Sequence, residues 1–184
     1  MIVDIARRRG VRDVRIAADE AERALLWKGR KSAFGAIARI KPNYYLHDTV
    51  VPRRELPGVL AQVYEIARRH DLDVLTVFHA GDGNLPPLLL FDGREPGVMA
   101  LVEAAGTEIV EASVAAGGVL CGEHGIGLEK RDLMPLMFSA VDLAAQAAVR
   151  AAFDPHGMSN PGKVLPSPAR CADLAASAPA GAWV

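Results

Sequence analysis

The residues best suited to chemistry lie in two glycine-bearing segments and on one helical stretch. In the first segment, His79-Ala80-Gly81-Asp82-Gly83-Asn84-Leu85-Pro86 joins two apolar runs, and Asp82-Gly83 is a strong hairpin-turn signal. With that dipeptide at the tip, positions 81 and 84, 80 and 85, and 79 and 86 face each other, so residues 79 and 86 share one face. Two imidazoles there would hold a metal from two strands, but this chain supplies His79 and Pro86. The other reading of His79 is a lone histidine ending a strand, its ring satisfied by a carbonyl. Asp82 and Asn84 shape the turn and can orient a neighbouring imidazole.

The second segment runs from Gly117 to Gly127 and contains Cys121-Gly122-Glu123-His124. Its glycines let backbone approach a ligand closely. No Gly-Lys-Ser/Thr ending follows, and Gly125-Ile126-Gly127 lacks the long preceding strand of a dinucleotide fingerprint. Glu123 is a hard anionic metal ligand and His124 a base that titrates near neutral pH; a solvated surface loop is the alternative for the pair. Cys121 reads as a small buried thiol.

Arg30 lies three residues after Trp27 and four before Phe34, on a shared helical face. Its guanidinium either clamps a substrate carboxylate in bidentate fashion, pairs with an internal carboxylate, or snorkels to water.

The elements that must position these groups follow from periodicity. Asp19, Glu20 and Glu22 open a long helix that carries Arg30. Asn43 to Val51 reads as a strand ended by Pro52. Leu56, Val59, Leu60, Val63 and Ala67 repeat at helical spacing, closed by Arg68-Arg69-His70. Leu72–Phe78 and Leu88–Phe91 are strand-like, and Pro86-Pro87 forces the latter to start at an edge or a break. Val98, Leu101, Val102, Ala105, Ile109 and Ala112 mark one face of a helix ending at Gly117-Gly118. Helical signals continue over 128–137 and 140–152, with loop from Asp154 to Gly162. The pattern predicts an α+β fold, an antiparallel sheet with helices packed on it and no Rossmann domain. A tail over 166–184, rich in alanine, serine and proline, is expected to be disordered.

The chain has 184 residues, of which 51% are hydrophobic and 23% charged, enough apolar material for one core. A net charge of −1 gives no basic field for nucleic acid. No apolar run approaches the roughly 20 residues of a membrane-spanning helix. Three arginines follow the weakly apolar start, the wrong order for a secretory signal. Cys121 and Cys171 form no CxxC pair or disulfide framework, so a reducing, cytoplasmic location is expected.

Five stretches, in order, carry a resemblance over almost the whole chain: LWKGRKSAFGA (26–36), DTVVPR (48–53), HAGDGNLPPLLLFD (79–92), GEHGIGLEKR (122–131) and FDPHGMSNPGKVLP (153–166). The sequence resembles the C-terminal half of the flavin subunit of bacterial glycolate oxidases. These belong to the FAD-linked oxidases, with D-lactate and D-2-hydroxyglutarate dehydrogenases. The resemblance implies a substrate cap over residues 1–165 that covers a flavin held by an N-terminal domain expected to be absent from this chain. It implies His79 and Glu123 as ligands of a divalent metal, zinc or manganese, with Pro86 replacing another histidine and weakening the site. It also implies His124 as base for the substrate hydroxyl, Arg30 as carboxylate clamp, and Asn160 and Lys163 near the flavin.

The implied activity is oxidation of a 2-hydroxy acid to a 2-oxo acid, dependent on FAD from a flavin-binding domain or subunit, with further glycolate oxidase subunits as possible partners. The competing expectations are a stand-alone, non-catalytic module that binds metal or carboxylate, and an inactive truncated remnant.

Overall fold

The computed structural model describes residues 1–77 and 79–166. The expected tail from Ser167 onward, with Cys171, lies outside them. The chain divides into two compact units, Met1–Pro42 and the segment from Asn43 onward. The first holds α1 (Ile2–Arg8), α2 (Glu20–Lys31) and α3 (Ala33–Ile37). The predicted start of α2 is borne out: Asp19 caps it, its Oδ1 accepting the Glu22 N–H at 2.8 Å. The helix is shorter than expected. It stops at Lys31, and Phe34 belongs to α3, so Arg30 and Phe34 do not share one continuous helix face.

The second unit is an antiparallel α+β layer. Its strands are β1 (Asn43–Leu46), β2 (Thr49–Val50), β3 (Asp73–Thr76), β4 (Asn84–Leu85) and β5 (Pro87–Phe91). They pair in the orders β1-β5-β3 and β2-β4, all antiparallel. The strand expected over 43–51 is therefore split between two sheets. The physical reason is the Pro86-Pro87 pair opposite the split: His47 donates its N–H to the Pro87 carbonyl at 3.0 Å, and proline has no N–H to return. Register nevertheless continues across the break, Leu46 facing Leu88 and Thr49 facing Leu85.

Helices α4 (Leu56–Arg69) and α5 (Val98–Ala115) follow the predicted periodicities. Val59, Val63, Ile66 and Ala67 of α4 and Val98, Val102, Ala105 and Ile109 of α5 form one buried cluster with Leu85, Leu89 and Phe91 of the sheet. Each such side chain contributes about 1.5–3 kcal/mol by leaving water. Leu101, expected on the same face, is 47% exposed. A second cluster joins Val110 and Leu120 to Met134 and to Leu143 of α6 (Ala140–Phe153). The helix expected over 128–137 is a 3-10 helix, Arg131–Leu136, because Pro135 inside it removes an α-helical donor. α6 starts on a capping box in which Ser139 and Asp142 satisfy each other's backbone N–H. No helix among the described residues is long and apolar enough to cross a membrane.

Candidate active-site face

Along 47–50, successive side chains alternate between the two faces of the sheet. His47 and Thr49 point toward α5: a Cβ at Gly106 of that helix would collide with His47 Nε2, and Ser113 donates its hydroxyl to Thr49 Oγ1 at 3.3 Å. Asp48, Val50 and Asn84 point the other way, where a Cβ at Gly122 would meet Asp48 Oδ1 and Val50 Cγ2 at 2.8 Å and Asn84 Nδ2 at 3.2 Å. The glycine segment thus lies across this second face. It leaves α5 through Gly117 at φ 80°, runs beside Val50 in an isolated bridge at Val119, and then turns over Asp48.

Asp48 organises that turn. Its Oδ2 accepts the backbone N–H groups of Gly122, Glu123 and His124 at 3.0, 2.7 and 2.8 Å, and the Cys121 thiol at 3.1 Å. Burial alone would push its pKa up, but the His124 and Glu123 amides, the Cys121 thiol and the nearby Lys130 charge outweigh it and hold the carboxyl at about 2. Lys130 is buried, its Nζ donating to the Asp48 and Leu120 carbonyls at 2.8 Å each. Burial pulls its pKa down. Cys121 is not the buried thiol expected: it is half-buried, its Sγ also accepts the Gly125 N–H at 2.7 Å, and burial followed by the Asp48 hydrogen bond raises its pKa.

Glu123 and His124 project from this turn into solvent, with His124 Nε2 3.9 Å from Glu123 Oε1. His79 is also exposed and reaches the same face through its bridge to Asn84, the His79 N–H donating to the Asn84 carbonyl at 3.2 Å. That bridge corrects the predicted register. His79 faces Asn84, not Pro86, and the connection is the four-residue loop 80–83 closed by Asp82 N–H to His79 and Gly83 N–H to Ala80. Asn84 is held between two neighbours, facing Val50 on one side and His79 on the other, and this fixes the register. Positions 79 and 86 still share a face, as diagonal neighbours.

Asn160 and Lys163 are exposed on the closing loop, with Lys163 Nζ 3.3 Å from Asn160 Oδ1 and Asn160 in the left-handed region at φ 47°. Arg150 holds that loop by the Ser159, Asn160 and Lys163 carbonyls, and Val164 N–H donates to the Gly127 carbonyl at 2.8 Å. The loop is thereby tied to the end of the glycine segment. Two exposed side chains on a loop are an edge against which a cofactor can lie, not a pocket that encloses one. Arg30 is exposed in the last turn of α2, in the other unit, where its charge suits the helix C-terminus; no α2 residue is buried, and Trp27 is 52% exposed.

Sequence reading missed Asp48 as an organiser, together with His47 and Lys130. Asp48 stood within a stretch carrying the resemblance, but its partners are 73–76 residues away. Among the described residues no group of three or more His, Cys, Asp or Glu side chains could hold a metal ion. The donor set His79 and Glu123, with proline at position 86, does not fit a protein-enclosed metal centre.

Residues 1–164 match the model of the FAD linked oxidases, C-terminal domain, and the chain belongs to that family. It is 50% identical over 173 residues to the glycolate oxidase subunit GlcD of Escherichia coli K12, an alignment covering 94% of this chain and 35% of that protein. Identity to the glycolate oxidase subunit GlcD of Bacillus subtilis is 39% over 157 residues, 85% of this chain and 33% of the relative. A D-2-hydroxyglutarate dehydrogenase of Stutzerimonas stutzeri is 31% identical over 148 residues, 76% and 31% of the two chains. The chain thus spans about a third of the length of the curated relatives it matches.

Proposed function

We propose that this chain is the substrate-covering part of an FAD-dependent 2-hydroxy-acid oxidase of the glycolate oxidase type, acting in the cytoplasm with a flavin-binding domain or subunit and further subunits of that oxidase. The observation that supports this most is the Glu123-His124 pair presented, side by side and solvent-accessible, on a turn anchored to a buried carboxylate. His124 accepts the proton of the substrate hydroxyl. Arg30 grips the substrate carboxylate with two parallel N–H donors. Asn160 and Lys163 are the residues of this chain that would contact the flavin. When bound, the flavin accepts the α-hydrogen as hydride, and redox capacity belongs to it alone.

His79 and Glu123 provide at most a weak two-donor metal site, and no step of the reaction is assigned to a metal. Diagonal positions such as 79 and 86 stand about 7–8 Å apart, within reach of two imidazoles on one ion. Pro86→His is therefore expected to raise manganese or zinc affinity, read by elemental analysis of the purified chain.

The activity test is glycolate-dependent bleaching of flavin absorbance after co-expression with a flavin-binding partner of the glycolate oxidase type. His124→Gln is expected to slow bleaching by about 10²- to 10⁴-fold. An unchanged rate would remove His124 as base. Arg30→Lys is expected to raise KM because the planar two-point grip is lost; equal KM values would speak against the clamp.

A further inference from the structure

Glu123 and His124 sit on a glycine-bracketed turn, and nothing in their own side chains holds them there: both are exposed, and neighbouring Gly125 is in the left-handed region at φ 88°. Such a turn has many backbone conformations available. It is nevertheless closed on one atom. Three consecutive N–H groups, from Gly122, Glu123 and His124, converge on Asp48 Oδ2 within 3.0 Å. The carboxylate is carried by the segment joining β1 to β2, and it is 2% exposed. Hydrogen bonds to an ionised acceptor are the strong ones, and water does not compete here. Lys130 fixes the backbone on both sides of the contact, through the Asp48 and Leu120 carbonyls. Gly122 permits the approach, since a side chain there would strike Asp48 Oδ1.

We infer that Asp48 is the positioning residue of the site: its carboxylate gathers the 122–124 amides and thereby sets the directions in which Glu123 and His124 project. The inference rests on the reading of His124 as the proton acceptor only for its catalytic meaning. The geometry of the turn is decided separately.

The test uses the full 184-residue chain, uniformly labelled for NMR. In the wild type, through-hydrogen-bond couplings are expected from the Gly122, Glu123 and His124 amides to the Asp48 carboxyl carbon. Backbone order parameters at 122–124 should match the rigid value of about 0.85. In Asp48→Ala, which has no side-chain acceptor, the order parameters at 122–124 fall below about 0.6, while α4 and α5 keep theirs. Val63→Ala, which loosens the buried cluster without touching the turn, retains couplings and order at 122–124. That separates positioning from general loss of stability. Absent couplings in the wild type, or unchanged order in a folded Asp48→Ala, would overturn the inference; the wild-type measurement decides it even where the variant does not fold. If His124→Gln leaves flavin bleaching unchanged while the couplings are present, the base assignment falls and the positioning role stands.

Discussion

His47 and Asp48 are neighbours in the chain with opposite fortunes. On the helix side, His47 is 2% exposed, and among the described residues neither ring nitrogen finds a hydrogen-bond partner; its ring lies edge-on to that of Tyr45, centroids 4.6 Å apart. On the other side, a single oxygen of Asp48 takes four donors. One face of the strand is closed by a helix, whose own N–H groups are spent inside it. The other is closed by an irregular glycine segment whose N–H groups are unspent and can turn inward. The contrast holds atom by atom: Thr49 on the helix face is served by Ser113, while Asp48 Oδ1 and Asn84 Oδ1 on the other face find no partner among the described residues. A buried polar atom is satisfied only where a neighbour aims a free donor or acceptor at it.

Removing the well-served member should cost most. Asp48→Ala leaves three amides and the Cys121 thiol without their acceptor and the buried Lys130 charge without its nearby counter-charge, and a loss of about 3–5 kcal/mol is expected in urea unfolding. Lys130→Met, which strips a charged donor from the Asp48 and Leu120 carbonyls, should cost about 2 kcal/mol by the same measurement. The orphaned member should behave in reverse. His47→Met replaces an unpaired imidazole with a flexible apolar chain and is expected to stabilise the protein by about 1–3 kcal/mol. A destabilised His47→Met would show that the ring has a partner after all.

The two groups should also separate by pH. Burial, then repulsion from Lys130, lowers the His47 pKa to about 3. Between the ordinary value of about 6.5 and that value the unfolded chain binds a proton that the folded chain refuses, so stability falls as pH drops. The slope is at most about 1.4 kcal/mol per pH unit. Asp48 acts lower: its contribution is complete above the ordinary carboxyl value and is lost as pH falls toward about 2. Urea midpoints taken from pH 7 to pH 3 should therefore lose their decline between pH 6 and 4 in His47→Met, and keep the one below it.

What the sequence made legible was periodic or covalent. The apolar repeats of α4 and α5 state which faces are buried, and Pro86-Pro87 predicts a break. The hairpin register was out of reach because Asp82-Gly83 suits both a two-residue tip and the end of a longer loop; contacts from a third strand choose between them, Val51 N–H donating to the Gly83 carbonyl at 2.9 Å. The sequence singles out neither Asp48 nor Lys130, because nothing local reveals a partner 82 residues away. The candidate residues His79, Glu123 and His124 were visible as types in glycine-rich surroundings. Their common support was not, since it is made of backbone amides, which no residue name encodes.

Gly122 turns that support into a prediction about tolerated sequence variation. Gly29, Gly35 and Gly81 have no atom within 4 Å of an added Cβ. Position 122 has a carboxylate oxygen and a valine methyl at 2.8 Å. In a saturation library scored for soluble expression, alanine should pass freely at the first three and be purged at 122, so a one-carbon substitution there acts as a gauge of how tightly the turn is seated.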